Sequence, residues 1–257
     1  MIQQISNGHV KSEFHNGCTT IEFFHPQSNA LPLKILDELA QGIHRAGNDD
    51  ETKVIVLRSF GEKAFCAGAS FDELSAIQNA EQGLRFFSGF AHVINAMRIC
   101  PKFIIARVQG KCVGGGLGLV AASDYAIATE DAEVKLSELS IGIGPFVVGP
   151  AVERRIGVSS FSQLAIDATS WRSAQWAGRK GLFAEVHGST DGMDESITRL
   201  AHSLTHSNPA AMAEMKKAFW KGTEDWDHLL VERAAVSGRL VLSTFSKEAI
   251  EKFKGRK

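Results

Sequence analysis

Apolar and polar positions alternate differently in the two parts of this chain. Over the first 140 residues, short β-branched runs are separated by longer segments of helical periodicity. IQQISN (2–7) and TTIEFFH (19–25) read as two strands joined by a polar, glycine-containing connection. LPLKILDELAQGIHRAG (31–47) carries apolar residues at helical spacing and stops on Gly47. TKVIVLRSF (52–60) and FIIARVQG (103–110) have the character of buried strands, with a helix over 79–99 ending before Pro101. DYAIAT (124–129) and AEVKLS (132–137) are two further short strands. From about Gly142 the pattern changes. Segments 158–168, 173–181, 193–206, 208–221 and 225–254 read as helices, and FAEVH (183–187) as a short strand. These periods predict an α/β core over 1–195 followed by a helical region over 196–257.

Composition narrows the class. With 44% hydrophobic and 22% charged residues and a formal net charge of −1, the chain can bury a sizeable core. It has no basic excess for a nucleic-acid partner. Cys18, Cys66, Cys100 and Cys112 are scattered, without a CxxC or a zinc-ligand spacing, so reduced thiols and no metal are expected. The start of the chain lacks the charged-then-apolar pattern of a signal peptide. The longest apolar stretch, 103–122, is broken by Arg107, Gln109 and Lys111, so no membrane span is expected. A cytoplasmic location follows as the expectation.

The segment GKCVGGGLGL (110–119) is the most unusual on the chain, with five glycines in ten positions. Residues 116–121 fit a GxGxxA dinucleotide fingerprint, with Glu138 twenty residues beyond Gly118. Yet the next strand starts at Asp124, leaving fewer than ten residues for a crossover that needs about a dozen. No Gly-Lys-Ser/Thr follows either, so a phosphate loop is disfavoured. A second segment, EKAFCAGASFDEL (62–74), follows its strand in the same way. Two buried strands thus end in small-residue loops, Ala67-Gly68-Ala69 and Gly114-Gly115-Gly116. Either loop alone reads equally as a tight turn kept small for packing. Together they can bring two backbone N–H groups from separate segments onto one ligand oxygen.

The pair, its spacing and the following stretch resemble the crotonase superfamily, the enoyl-CoA hydratase/isomerase group, over almost the whole chain. KAFCAGASFDEL is similar to the family's xAFxAGADxxEL loop, VQGKCVGGGLGL to its xxGxxxGGGxxL loop, and SDYAIATEDAEVKLSELSIGIGP to its xDxxIAxxxAxFxxPExxxGxxP stretch. The resemblance implies a crotonase-like (ClpP/crotonase) spiral of β-β-α units with a C-terminal helical extension. It implies an acyl-CoA thioester substrate, with coenzyme A entering as part of that substrate and no separate cofactor. It also implies a homotrimer or dimer of trimers.

By position, the amides of Ala69 and Gly115 would form an oxyanion hole for the thioester carbonyl, with Glu138 as acid/base. Gly68, Gly114, Gly118, Pro145 and Phe146 would contact substrate. Lys63, Ala67 and Ala69 would lie along the coenzyme A moiety, and Phe253 and Lys257 of the final helix would add an aromatic and a cation. The implied activity is hydration or isomerisation of an enoyl-CoA. Decarboxylation or hydrolysis through the same enolate, or acyl-CoA binding without catalysis, are the alternatives.

Several positions depart from the pattern. Gly118 stands where the family commonly has a first glutamate, which leaves Glu138 as the single carboxylate: one base suffices for double-bond migration, two usually divide hydration, and hydration is the family's commonest activity, so both stay open. Ser70 replaces a usual aspartate, and Phe146-Val147-Val148 replace small residues, so a narrower, drier acyl pocket is expected. Other candidates are weaker. His202 and His206 are four apart without the glutamate or third ligand of a zinc site. Cys66 reads as a packed thiol rather than a nucleophile. Trp220 and Trp226 read as core or interface anchors.

Overall fold

The structure, a computed structural model, describes residues 8–254. The strand expected at 2–7 and the contact expected of Lys257 lie outside the described residues. The first described pair, β1 (His9–His15) and β2 (Cys18–Phe24), is an antiparallel hairpin. Asn16 and Gly17 form its two-residue turn at φ 48° and 81°, the conformation that matches the twist of the strands it joins. β2 then pairs in parallel with β3 (Val54–Ser59), followed by β5 (Phe103–Val108), β7 (Tyr125–Thr129) and β9 (Glu185–His187). The order is β1-β2-β3-β5-β7-β9.

A small parallel sheet stands beside it, ordered β4 (Ala64–Cys66), β6 (Lys111–Val113) and β8 (Val134–Lys135). Each of β3, β5 and β7 runs directly into one of these short strands, and a helical segment follows. That is the β-β-α spiral the motifs imply, and the chain has the crotonase-like fold.

The inner strands are buried on both faces, which explains their unbroken apolar runs. One face packs against α1 (Leu33–Asn48), α3 (Ala80–Ile99) and α4 (Gly115–Ala122). In α1 the buried residues Ile35, Leu36, Leu39 and Ile43 recur at helical spacing. The other face carries a smaller cluster in which Met193, Ile197 and Ala201 of α7 (Thr190–Thr205) cover Val54, Val56, Ile105 and Ile127. The boundary expected between 195 and 196 therefore falls inside a helix that helps complete the core.

The expected helix over 225–254 is two helices, α9 (Trp226–Leu240) and α10 (Thr244–Lys254). Ser243 starts the second: its hydroxyl accepts from Ser246 N–H (3.2 Å), while the Ser246 hydroxyl donates to the Leu240 carbonyl (3.0 Å). These local bonds offer the backbone an alternative to continuing the helix.

α9 crosses α3 at a pair of glycines. A Cβ on Gly83 would lie 2.6 Å from the Gly238 carbonyl oxygen, so the two backbones are in direct contact. Gly83→Ala must push main chain against main chain and is expected to cost about 1–3 kcal/mol. Chemical denaturation checks it, and an unchanged midpoint would show that the crossing relaxes freely.

Candidate active site

Three segments converge at the carboxyl ends of β4, β6 and β8. The first is the loop 67–69, held from behind by the turn at 25–31. Ala67 N–H donates to the Ser28 carbonyl (3.1 Å), and Leu31 N–H donates to the Gly68 carbonyl (2.8 Å). Ser70 N–H donates to the Leu31 carbonyl (3.3 Å). Residues 68 and 70 thus address Leu31, and alternation along extended backbone turns the Ala69 amide the opposite way. Asn29, at φ 56°, anchors the turn: its amide donates to the carbonyls of Phe60 and Ala64 (both 2.9 Å). Ser70, where the family has aspartate, caps α2 (Phe71–Ala76), its hydroxyl accepting from Glu73 N–H.

The second segment opens α4. Gly114 has φ 52° and ψ −116°, a conformation closed to side-chain-bearing residues, and its N–H donates to the Lys135 carbonyl (2.9 Å). The turn leaves Gly115 as the first helical residue, with no intrahelical acceptor for its amide. Among the described residues, neither the Ala69 nor the Gly115 N–H donates a hydrogen bond. The two loops touch: a Cβ built on Gly68 would be 3.7 Å from the Gly115 nitrogen.

Glu138 is the third component. It begins the 3-10 turn Glu138–Ile141, and its carboxylate occupies the space a side chain on Gly114 would take, with Oε1 2.9 Å from that absent Cβ. Part of the residue is accessible, but the carboxylate is covered: Oε2 is buried with no hydrogen-bond partner. Burial pushes the Glu138 carboxyl up from 4.5 to about 7.

Because its folded pKa is raised, Glu138 contributes stability that is fully present below about pH 4.5 and lost as pH rises through about 7. Glu138→Gln should leave stability near pH 4 unchanged and raise it above pH 7 by up to roughly 3 kcal/mol. Thermal melts at the two pH values check this; equal shifts at both would mean that the carboxylate is solvated.

These groups line one cleft. Ala67, Gly68, Ala69, Gly114, Gly115, Glu138, Pro145 and Phe146 all face it, so most of the expected residues are brought together. One side of it is walled by the apolar residues Leu74, Phe87, Phe90, Ile141, Ile143, Val147 and Val148.

Gly118 is a correction. It lies inside α4 behind the wall rather than on it, and a Cβ there would be 2.5 Å from Cγ1 of Val148. The valine side chain occupies the room a carboxylate would need. Lys63 is also outside the cleft, exposed at the turn before β4.

Phe253 is not among the lining residues but stands next to one of them, its ring 5.7 Å from that of Phe71, which lines the cleft. It gets there because α10 folds over its own chain, where Lys254 donates to the Ser75 hydroxyl (2.9 Å) and pairs with Asp72 (3.4 Å). The phenylalanines of α3 and Ser237 of α9 were not marked by the sequence motifs, since nothing local distinguishes them from ordinary core positions.

The weaker candidates stay outside. The Cys66 thiol is fully buried and pushed up to about 12, which removes it as a nucleophile. His202 and His206 stack on each other at an exposed helix end, and no described cluster of side chains could hold a metal ion. Trp220 and Trp226 pack edge to face, 5.7 Å apart, away from the cleft. No described helix is long and apolar enough to cross a membrane.

A family model described as enoyl-CoA hydratase/isomerase matches residues 13–257. The chain belongs to the enoyl-CoA hydratase/isomerase family. Among its relatives, the peroxisomal Delta(3,5)-Delta(2,4)-dienoyl-CoA isomerase of Arabidopsis thaliana is 27% identical, covering 76% of this chain and 74% of that protein. The (7aS)-7a-methyl-1,5-dioxo-2,3,5,6,7,7a-hexahydro-1H-indene-carboxyl-CoA hydrolase of Mycobacterium tuberculosis is also 27% identical, over 79% of this chain and 80% of that one. The crystal structure of enoyl-CoA hydratase from Bacillus halodurans superposes with a TM-score of 0.87 at 22% identity, covering 95% and 99% of the two chains. That likeness is one of fold. The family's members thus include isomerases, hydrolases and hydratases, and this chain is an acyl-CoA enzyme of the same family.

Proposed function

We propose that the protein moves a double bond along the acyl chain of a CoA thioester, using Glu138 as its single acid/base. The lone carboxylate carries this reading: unpartnered, desolvated, near pH 7 in affinity for its proton, and facing a wall in which Val148 fills the place of a second carboxylate. Glu138 takes a proton from C2 of a 3-enoyl thioester, and the electron pair of that C–H bond passes into the thioester, placing negative charge on its oxygen. The amides of Ala69 and Gly115 stabilise that oxygen, assisted by the N-terminus of α4. The same carboxyl then returns the proton at C4, giving the conjugated 2-enoyl thioester. Two fixed donors in a water-poor cleft suit this step because they need no rearrangement as the charge develops. Loss of one typically costs about 100- to 1,000-fold in rate.

Hydration asks for more: a water must be activated and a carbon protonated on one face, work that two carboxylates usually divide. Hydrolysis of a carboxyacyl- or branched acyl-CoA through the same enolate is the second reading, favoured by the carboxyl-CoA hydrolase of M. tuberculosis named above. The absorbance of the conjugated thioester, with mass analysis of 3-enoyl-CoA incubated with the enzyme in heavy water, tests the proposal. Conjugation is expected, with deuterium at C2 or C4 to the extent that the Glu138 carboxyl exchanges with solvent between taking and returning a proton; a product heavier by one water, or a shortened acyl chain, would overturn it.

A further inference from the structure

The buried face of α9 reads Trp226, Leu230, Ala234, Ser237 and Gly238, and Ser237 is its one hydrogen-bonding aliphatic position. Ser237 is 1% exposed, and it lines the acyl cleft beside the phenylalanines of α3. No hydrogen bond from any described residue reaches its hydroxyl, although a helical serine can ordinarily donate to the carbonyl four residues back. Its oxygen is not among the sealed, partnerless side-chain atoms, which include Glu138 Oε2, so the hydroxyl keeps an opening onto the cleft. An apolar chain laid over it strips that opening of water without replacing the hydrogen bond. The tight Gly83–Gly238 crossing fixes the backbone next to it, so the hydroxyl is presented to the cleft from a rigid support.

We infer that Ser237 hydrogen-bonds an oxygen on the acyl chain of the substrate, so that the preferred thioester is an oxygenated one, carrying a hydroxyl or carbonyl group several bonds beyond the thioester. The inference rests on the acyl-CoA reading above and adds the class of acyl group. The oxyanion amides and Glu138 serve the thioester and its α-carbon in that reading, whereas Ser237 stands among apolar side chains with no part in the proton transfer. A plain hydrocarbon chain would leave the hydroxyl unpaired, and an oxygenated chain satisfies it. A site built around a hydrogen bond discriminates far more strongly than one built from methylene contacts.

Calorimetric titration with saturated thioesters, which have no double bond to move, tests this directly. The set is hexanoyl-CoA, 4-oxohexanoyl-CoA, 5-oxohexanoyl-CoA and 6-hydroxyhexanoyl-CoA. The wild-type protein is expected to bind at least one oxygenated member about fivefold or more tightly than hexanoyl-CoA. Ser237→Ala should abolish that preference while binding hexanoyl-CoA no more weakly than the wild type does, and Ser237→Cys, with its weak donor, should fall between. Equal affinities across the set for the wild type, or an alanine variant that weakens hexanoyl-CoA as much as the others, would overturn the inference. Failure of every thioester to bind would instead sink the acyl-CoA reading itself.

Discussion

Glu138→Gln is expected to lower isomerisation of a 3-enoyl-CoA by roughly 1,000-fold while leaving thioester affinity within about a factor of three. Glutamine keeps the shape of the side chain and its place over Gly114, but it cannot take a proton. In the wild type, the carboxyl must be ionised to start the reaction. With its pKa at about 7, log kcat/KM should rise with unit slope below that value and level above it. The variant should show no such inflection and no uptake of deuterium at C2 or C4. Retention of wild-type exchange would remove Glu138 from the chemistry and leave its burial as a matter of packing.

The second large effect concerns the filled position. Gly118→Glu alone sets a Cβ 2.5 Å from Val148 Cγ1, and should cost about 1–3 kcal/mol of stability without creating hydratase activity. The double variant Gly118→Glu/Val148→Gly removes the colliding side chain. What then faces the new Cβ is the Val148 Cα at 3.6 Å, an ordinary contact. This protein is expected to hydrate a short 2-enoyl-CoA at least about tenfold faster than wild type, because a second carboxylate can share the proton transfers. Hydration no faster than wild type in the double variant would mean that the missing carboxylate is not the limit. Hydration by the single variant would mean that Val148 does not exclude one.

The two experiments interrogate one physical fact, that the cleft holds a single carboxylate in an apolar wall. Its identity was readable in advance, since Glu138 and Gly118 occupy motif positions. Its electrostatic state was not. A glutamate in a sequence string carries no dielectric, and the shift to about 7 comes from the side chains folded around it and from the absence of a partner for Oε2.

The element pattern was legible for a related reason. Strands such as β3 and β5 are apolar throughout because they are covered on both faces, and α1 shows its buried stripe directly. The reading failed where local bonds outweighed periodicity. Ser243 and Ser246 divide the last helical stretch although its apolar pattern continues through them. It failed again at 195/196, where α7 looks like the start of a helical appendage but Met193 and Ile197 lie on the central sheet. Burial on the far face of a sheet leaves the same sequence mark as burial between helices, so periodicity alone could not assign that helix to either part.

The alternation of strands and helices, the two small-residue loops and the one glutamate are written in the order of residues, because each depends on short-range spacing and on which residues leave the main chain bare. That Val148 fills the space beside Gly118, that Phe253 packs against its own chain's Phe71, and that Ser237 opens into the cleft follow from the fold alone. Those outcomes join residues 30 to 182 positions apart, and what sets them is the packing of one folded surface against another, which no local pattern encodes.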